Sequence, residues 1–194
     1  MKKIFMLAVV LFGVFSAKAQ SEMTLGVKGG LNVTNISNSD LKNKMSFHLG
    51  AFAEFRLNDY FAIQPELLYS RQGARDKYEG YKVQYRVNYL NIPILAKFYV
   101  LDALSVDLGP ELAFALNAKT RYKDGGKTIK NKIKDVNTVA VNFALGLSYN
   151  WENFVFSTRY NIGLSNVIDK NKWDGNNKNH VFQLSVGYRF GQLF

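Results

Sequence analysis

The last regular stretch of the chain alternates strictly. Phe182, Leu184, Val186, Tyr188 and Phe190 fall on one side, and Val181, Gln183, Ser185, Gly187 and Arg189 on the other. A period of two is the mark of a strand with two unlike faces. Three more segments repeat it with apolar rows Phe154–Leu164, Val139–Tyr149 and Leu104–Leu116, set against rows containing Ser157, Arg159 and Asn161, then Asn142, Gly146 and Ser148, then Ser105, Asp107 and Glu111. Four earlier segments follow the rule less cleanly, around Leu25–Asn32, Ser46–Arg56, Phe61–Ser70 and Tyr89–Phe98. Eight segments of about 9–12 residues have the length that crosses a bilayer as tilted strands. Pro65, Pro93 and Pro110 fall inside three of them. Proline donates nothing to a ladder, so these positions are expected at bulges or near a rim.

The connectors alternate as well. Asn58–Asp59, Val100–Leu101–Asp102 and Asn150–Trp151–Glu152 are short, whereas 34–45, 72–84, 118–136 and 165–179 are long. Short turns at one end and long loops at the other predict an eight-stranded antiparallel up-and-down transmembrane β-barrel, with both termini on the short-turn, periplasmic side. Phe55, Tyr60, Phe61, Phe98, Tyr99, Tyr149, Trp151, Phe154 and Phe190 gather near the short turns, as an interfacial girdle requires. The competing fold is a soluble eight-stranded carrier with its apolar face turned inward.

The first residues add an address. Lys2 and Lys3 precede an apolar run over 4–15 and then Ala17-Lys18-Ala19. That is the layout of a secretory signal peptide cleaved after Ala19, and the run is too short to span a bilayer as a helix. The expected division is therefore a leader over 1–19 and a barrel domain over 20–194. Removing the leader lowers the formal charge from +10 to +7 by taking Lys2, Lys3 and Lys18. With no Cys, thiol nucleophiles, Cys-ligated zinc and iron–sulfur clusters are excluded. His48 and His180 stand far apart in sequence and read as plain polar residues, so no cofactor or metal is expected.

The polar rows carry the candidate chemistry. Lys28, Arg56, Arg86, Lys97, Arg159 and Arg189 are expected to face inward with Glu54, Glu66, Asp107 and Glu111. An eight-stranded barrel is just wide enough to be filled by side chains, and charges buried there must pair. The expectation is a structural charge network in a filled lumen, with a proton path and acid–base work by Glu54 and Glu66 as weaker alternatives. A second concentration lies in the third long connector: Lys119, Arg121, Lys123, Lys127, Lys130, Lys132 and Lys134 against Asp124 and Asp135. Tyr122 is its single aromatic, so nucleic acid is not expected as a partner. Outer-membrane lipids, including lipopolysaccharide, or an acidic partner fit better, beside the alternative of a merely solvated loop.

Several segments are identifiable. Gly26-Val27-Lys28-Gly29-Gly30-Leu31-Asn32, Gln64-Pro65-Glu66-Leu67 with Gln72-Gly73, Tyr89-Leu90-Asn91-Ile92-Pro93, Leu108-Gly109-Pro110-Glu111 and Arg159–Asn166 run through the chain. On these, the chain resembles the PorT-like outer-membrane β-barrel family of Gram-negative bacteria. Asn91 stands where a common pattern of that family has Glu. The resemblance implies an eight-stranded barrel in the cell outer membrane and accounts for the prolines as family features. The terminal Phe194 resembles the signal read by the barrel-assembly machinery. The family's founding member takes part in protein secretion, so secretion-system components are implied as partners. The expected function is a non-enzymatic integral outer-membrane protein with a structural or accessory role. The alternatives are a surface module whose outer loops bind a lipid, glycan or protein, and a membrane-embedded lipid enzyme using His48 and Glu54.

Overall fold

The computed structural model describes residues 22–36, 43–73, 75–78, 81–124, 127–132, 138–165 and 178–192. The expected leader over 1–19, Lys134 and the terminal Phe194 lie outside them. Ten strands follow in chain order: β1 (Glu22–Ile36), β2 (Lys44–Asn58), β3 (Phe61–Gln72), β4 (Arg75–Tyr78), β5 (Tyr81–Leu101), β6 (Leu104–Asp124), β7 (Lys127–Lys132), β8 (Val139–Trp151), β9 (Phe154–Gly163) and β10 (Asn179–Gln192). Eight of them close a ring in the order β1-β2-β3-β5-β6-β8-β9-β10, because β10 pairs back onto β1 and every neighbour is antiparallel. No helix of the described residues is long and apolar enough to cross a membrane. Closure leaves the ring without a free strand edge, which is what a strand structure needs in lipid.

The alternation sets the two sides. Leu49, Leu67, Leu145, Leu184 and Val186 are each about half exposed on the outside. Their odd–even neighbours, including Lys28, Glu66, Lys97, Glu111 and Arg159, are buried inside. A soluble carrier would show the reverse, so the competing fold is excluded. Two-residue turns follow β2, β5 and β8, and Glu152 takes a left-handed conformation with φ 51° in the last of them. Inward-facing Gly30 and Gly109 let strands approach closely; a Cβ there would run into the carbonyls of Leu184 and Ile94.

The prolines are neither bulged nor at a rim. They form a diagonal across β3, β5 and β6, each paired on one side: Pro65 with Ile94, Pro93 with Glu111 and Pro110 with Phe143. On the other side the ladder skips the position that register would set opposite each of them, Ala53, Glu66 and Ile94 in turn. A residue in an antiparallel strand sends its N–H to one neighbour only, so a missing donor opens the ladder on that side alone.

The outer ends differ from expectation too. The connectors over 72–84 and 118–136 are in large part strand. β5 and β6 each run 21 residues and stay paired up to Lys82 and Lys123, where a crossing needs about 9–11. With β4 on one flank and β7 on the other, they form a four-stranded sheet standing beyond the ring. An extra residue in β6 at Leu116 shifts the pairing between Asn88–Asn117 and Tyr89–Ala115.

Candidate functional site

Two groups of charged side chains are set by this frame, one inside the ring and one on its outer end. The inner group centres on Glu66 of β3. Arg159 of β9, four strands away on the opposite wall, grips it with two hydrogen bonds: Nη1 to Oε2 at 2.9 Å and Nη2 to Oε1 at 2.8 Å. Lys28 donates to the same carboxylate at 3.1 Å, and Gln64 at 2.7 Å. The forked Arg–carboxylate pair is therefore a strut across the barrel's diameter, in the geometry that makes such pairs strong.

The network continues toward the short turns. Lys97, 0% exposed, donates to Gln64 at 3.1 Å and lies 3.3 Å from Glu54 and 3.9 Å from Asp107. Tyr99 donates its hydroxyl to Glu54 at 2.6 Å, while Ser105 and Ser148 donate to Asp107. Toward the outer end, Glu111 accepts from three side-chain amides: Asn91 at 2.9 Å, Asn142 at 2.8 Å and Asn161 at 3.3 Å. Asn91 is thus a donor to the carboxylate opposite, a role a second acid there could not fill when ionised. Above it His48 bridges Asn32 (Nδ1, 2.7 Å) and Ser185 (Nε2, 2.8 Å). An apolar cluster of Val87, Tyr89, Ala113, Ala118 and Ala140 occupies the lumen below the projecting sheet.

The outer group has a different character. Past the extra residue Leu116, the alternation in β6 inverts, so Ala118 and Thr120 are buried while Lys119 is exposed. This turns Lys119 and Arg121 onto the same outward side as Arg86 of β5. Register sets Lys119 beside both Arg86 and Lys132, Arg121 beside Gln84 and Lys130, and Lys123 beside Lys82. Like charges opposite one another in adjacent strands repel. Arg71 of β3 completes the group, its guanidinium 5.0 Å from the Phe47 ring centre and its Nε donating to Asn88 at 3.3 Å. Asn88 donates in turn to Asn117 at 2.9 Å. Arg71, Arg86, Asn88, Asn117, Lys119, Thr120 and Arg121 line a concavity of about 150 Å³. Among the side chains that line this concavity there is no carboxylate. Arg121 and Arg71, both of its own sign, act on Arg86; its Nη2 donates to Gln84 at 3.1 Å, while its buried Nε has no hydrogen-bond partner among the described residues.

Residues 18–169 match the family model described as outer membrane protein beta-barrel domain. The chain belongs to that family. As an outer-membrane barrel it has solved likenesses. Ail, the attachment invasion locus protein of Yersinia pestis, is 16% identical, with 89% of this chain and 100% of that one covered at a TM-score of 0.51. Ail has also been solved in complex with the heparin analogue sucrose octasulfate. Neisserial surface protein A is 14% identical, with 88% and 98% covered at a TM-score of 0.51. At these identities the likeness is one of fold. Among curated proteins none matches.

Placed on this outer-membrane barrel, the ten inward charges expected from sequence divide. Lys28, Glu54, Glu66, Lys97, Asp107, Glu111 and Arg159 are buried in the lumen. Arg56 and Arg189 form no ion pair in the network, although the Arg56 guanidinium lies 4.4 Å over the Tyr99 ring. They sit at the short-turn rim, donating to the turn carbonyls of Asp59 and Glu152. Arg86 is on the outer surface, because it shares parity with the outward Leu90 and Ile92 of its own strand. Of the seven basic residues of the third connector, Lys119, Arg121 and Lys123 lie on β6 and Lys127, Lys130 and Lys132 on β7, in strands rather than a loop. Two girdle aromatics are also misplaced by sequence: Tyr99 is buried in the lumen on Glu54, and Phe55 is buried. Arg71 was missed because its own neighbours, Ser70 and Gln72, gave no charge signal; only the pairing of β3 with β5 reveals it. Tyr160, an outward aromatic at mid-strand, stacks on His180 at 5.9 Å.

Proposed function

We propose that this protein is a non-enzymatic outer-membrane barrel that passes nothing through its lumen and binds a surface ligand at its outer end. The observation that carries the reading is the contrast in length. β5 runs on over 81–87 and β6 over 118–124, about seven residues each past the level of Arg71 near the top of β3, and they do so as a paired sheet edged by β4 and β7. Strand pairing this far outside the bilayer costs conformational entropy that the membrane-spanning part does not require. The diametric strut Arg159–Glu66 and the layers above and below it support a lumen without a path for ions.

In planar bilayers the purified protein should give no conductance steps; stepwise conductance would overturn the closed lumen. Replacing 75–85 and 119–132 by short turns should leave the ring folded, as judged by the mobility of unheated protein on a gel. In-membrane crosslinking with mass spectrometry would then compare what the full and trimmed chains capture. Identical capture would remove the outer end from the function.

A second reading, an accessory role in protein secretion, is supported by the PorT-like segments Gln64–Leu67 and Tyr89–Pro93. Reproducible capture of secretion components by both chains would favour it over ligand binding. Export with cleavage after Ala19 belongs to the same proposal, and the protein from the outer-membrane fraction should begin at Gln20.

A further inference from the structure

We propose that the concavity between β3, β5 and β6 binds a phosphate group carried by a lipid of the outer leaflet. This rests on the reading of the outer end as a binding surface and gives it a ligand class. Three observations converge. Arg71, Arg86, Lys119 and Arg121 meet around about 150 Å³ with no described carboxylate among them. Arg86 presents a buried Nε with no partner, a donor that an added oxygen would satisfy. The pairing register sets Lys119 of β6 directly opposite Arg86 of β5, cation against cation. A sheet so arranged is relieved by an anion from outside it.

Height and direction select a lipid over a solute. The four cations continue the outward rows that carry Tyr69, Leu90, Phe114 and Leu116, so the concavity opens sideways over the lipid-facing wall. Arg71 stands ten residues up β3 from Phe61 at the short-turn end. At about 3.4 Å per residue and a tilt of about 40° that is about 25 Å, the height of the apolar band of such barrels. The site is therefore level with the outer-leaflet headgroups. A solute anion would approach from above, toward the sheet's tip.

The test uses the full chain in phosphatidylcholine nanodiscs doped with diphosphoryl lipid A or its dephosphorylated counterpart, with bound lipid counted by native mass spectrometry. Diphosphoryl lipid A should be retained in preference to the dephosphorylated form. The variant Arg71→Gln/Arg86→Gln/Lys119→Gln/Arg121→Gln should weaken that retention by about a hundredfold or more, as expected for losing several cations beside an anionic surface. Unheated gel mobility checks that the variant folds, and the wild type alone provides a second measure, since retention should fall as NaCl rises. Equal retention of both lipids, or retention indifferent to salt, overturns the proposal. Inorganic phosphate that competes at millimolar concentration and binds without lipid A makes this a solute site and overturns the lipid source. If lipid A is ignored while the trimmed chain still loses a crosslinked partner, the ligand class is wrong and the binding surface stands; if trimming changes nothing, both fall.

Discussion

The lumen and the outer rim are built from the same side chains to opposite ends. Inside, Glu66 lies between Lys28 and Arg159, and Lys97 lies among Glu54, Asp107 and Gln64. Every charge there has partners on other strands, so the network closes on itself. Outside, Arg71, Arg86, Lys119 and Arg121 gather around a concavity whose lining holds no carboxylate, with Lys119 set opposite Arg86. The comparison teaches that charge density alone says nothing about function. What separates scaffold from binding surface is whether the charges satisfy one another. A buried pair is tied to the fold because breaking it strands a charge. A surface cluster whose cations bond only neutral amides contributes little to the fold and keeps its charge available.

The contrast is broken most severely from within. Glu66→Ala would leave Lys28 and Arg159 facing each other and should cost about 3–5 kcal/mol, read as a shift of the urea unfolding midpoint in vesicles. Height is the next variable. Leu145→Arg puts an outward cation in mid-wall, where Leu145 is 48% exposed; the expected cost is about 2–4 kcal/mol, by the same unfolding measurement, although Arg86 is tolerated outward at the rim. Tyr99→Phe removes one hydrogen bond to the Glu54 carboxylate and should cost about 1.5–3 kcal/mol, with a smaller loss in a background already lacking Glu54. Smallest is Arg86→Gln. Relief of repulsion from Arg71 and Arg121 should keep stability within about 0.5 kcal/mol of wild type, and a destabilisation of several kcal/mol there would erase the distinction between the two regions.

The ring was legible because its signal is repeated. Eight alternating segments and the two-residue turns need only local rules, and parity alone put Lys28, Glu66, Lys97 and Arg159 inside. The failures occurred where parity is broken or extended. Arg86 lies beyond the part of β5 with a clear apolar row, and its side follows only by counting back from Leu90. The bulge at Leu116 has no marker in residue type; Leu is as acceptable there as in a regular strand, and the shift appears only in the pairing with β5. Polar composition made 118–136 read as a loop, yet its lysines sit in a ladder formed with β5 and β7. The prolines misled for the opposite reason. One lost donor is tolerated mid-wall because each residue serves one neighbour at a time.

The extra residue at Leu116 also has a consequence for descent. Changing the outer sheet's chemistry by substitution would mean replacing lysines and arginines one after another, each step weakening whatever they bind. Removing a single codon at Leu116 would restore the regular alternation and exchange the sides of Lys119 and Arg121 with those of Ala118 and Thr120 in one event. Relatives that differ by one residue here should therefore differ in how much positive charge they present to the leaflet, even where their lysine counts agree.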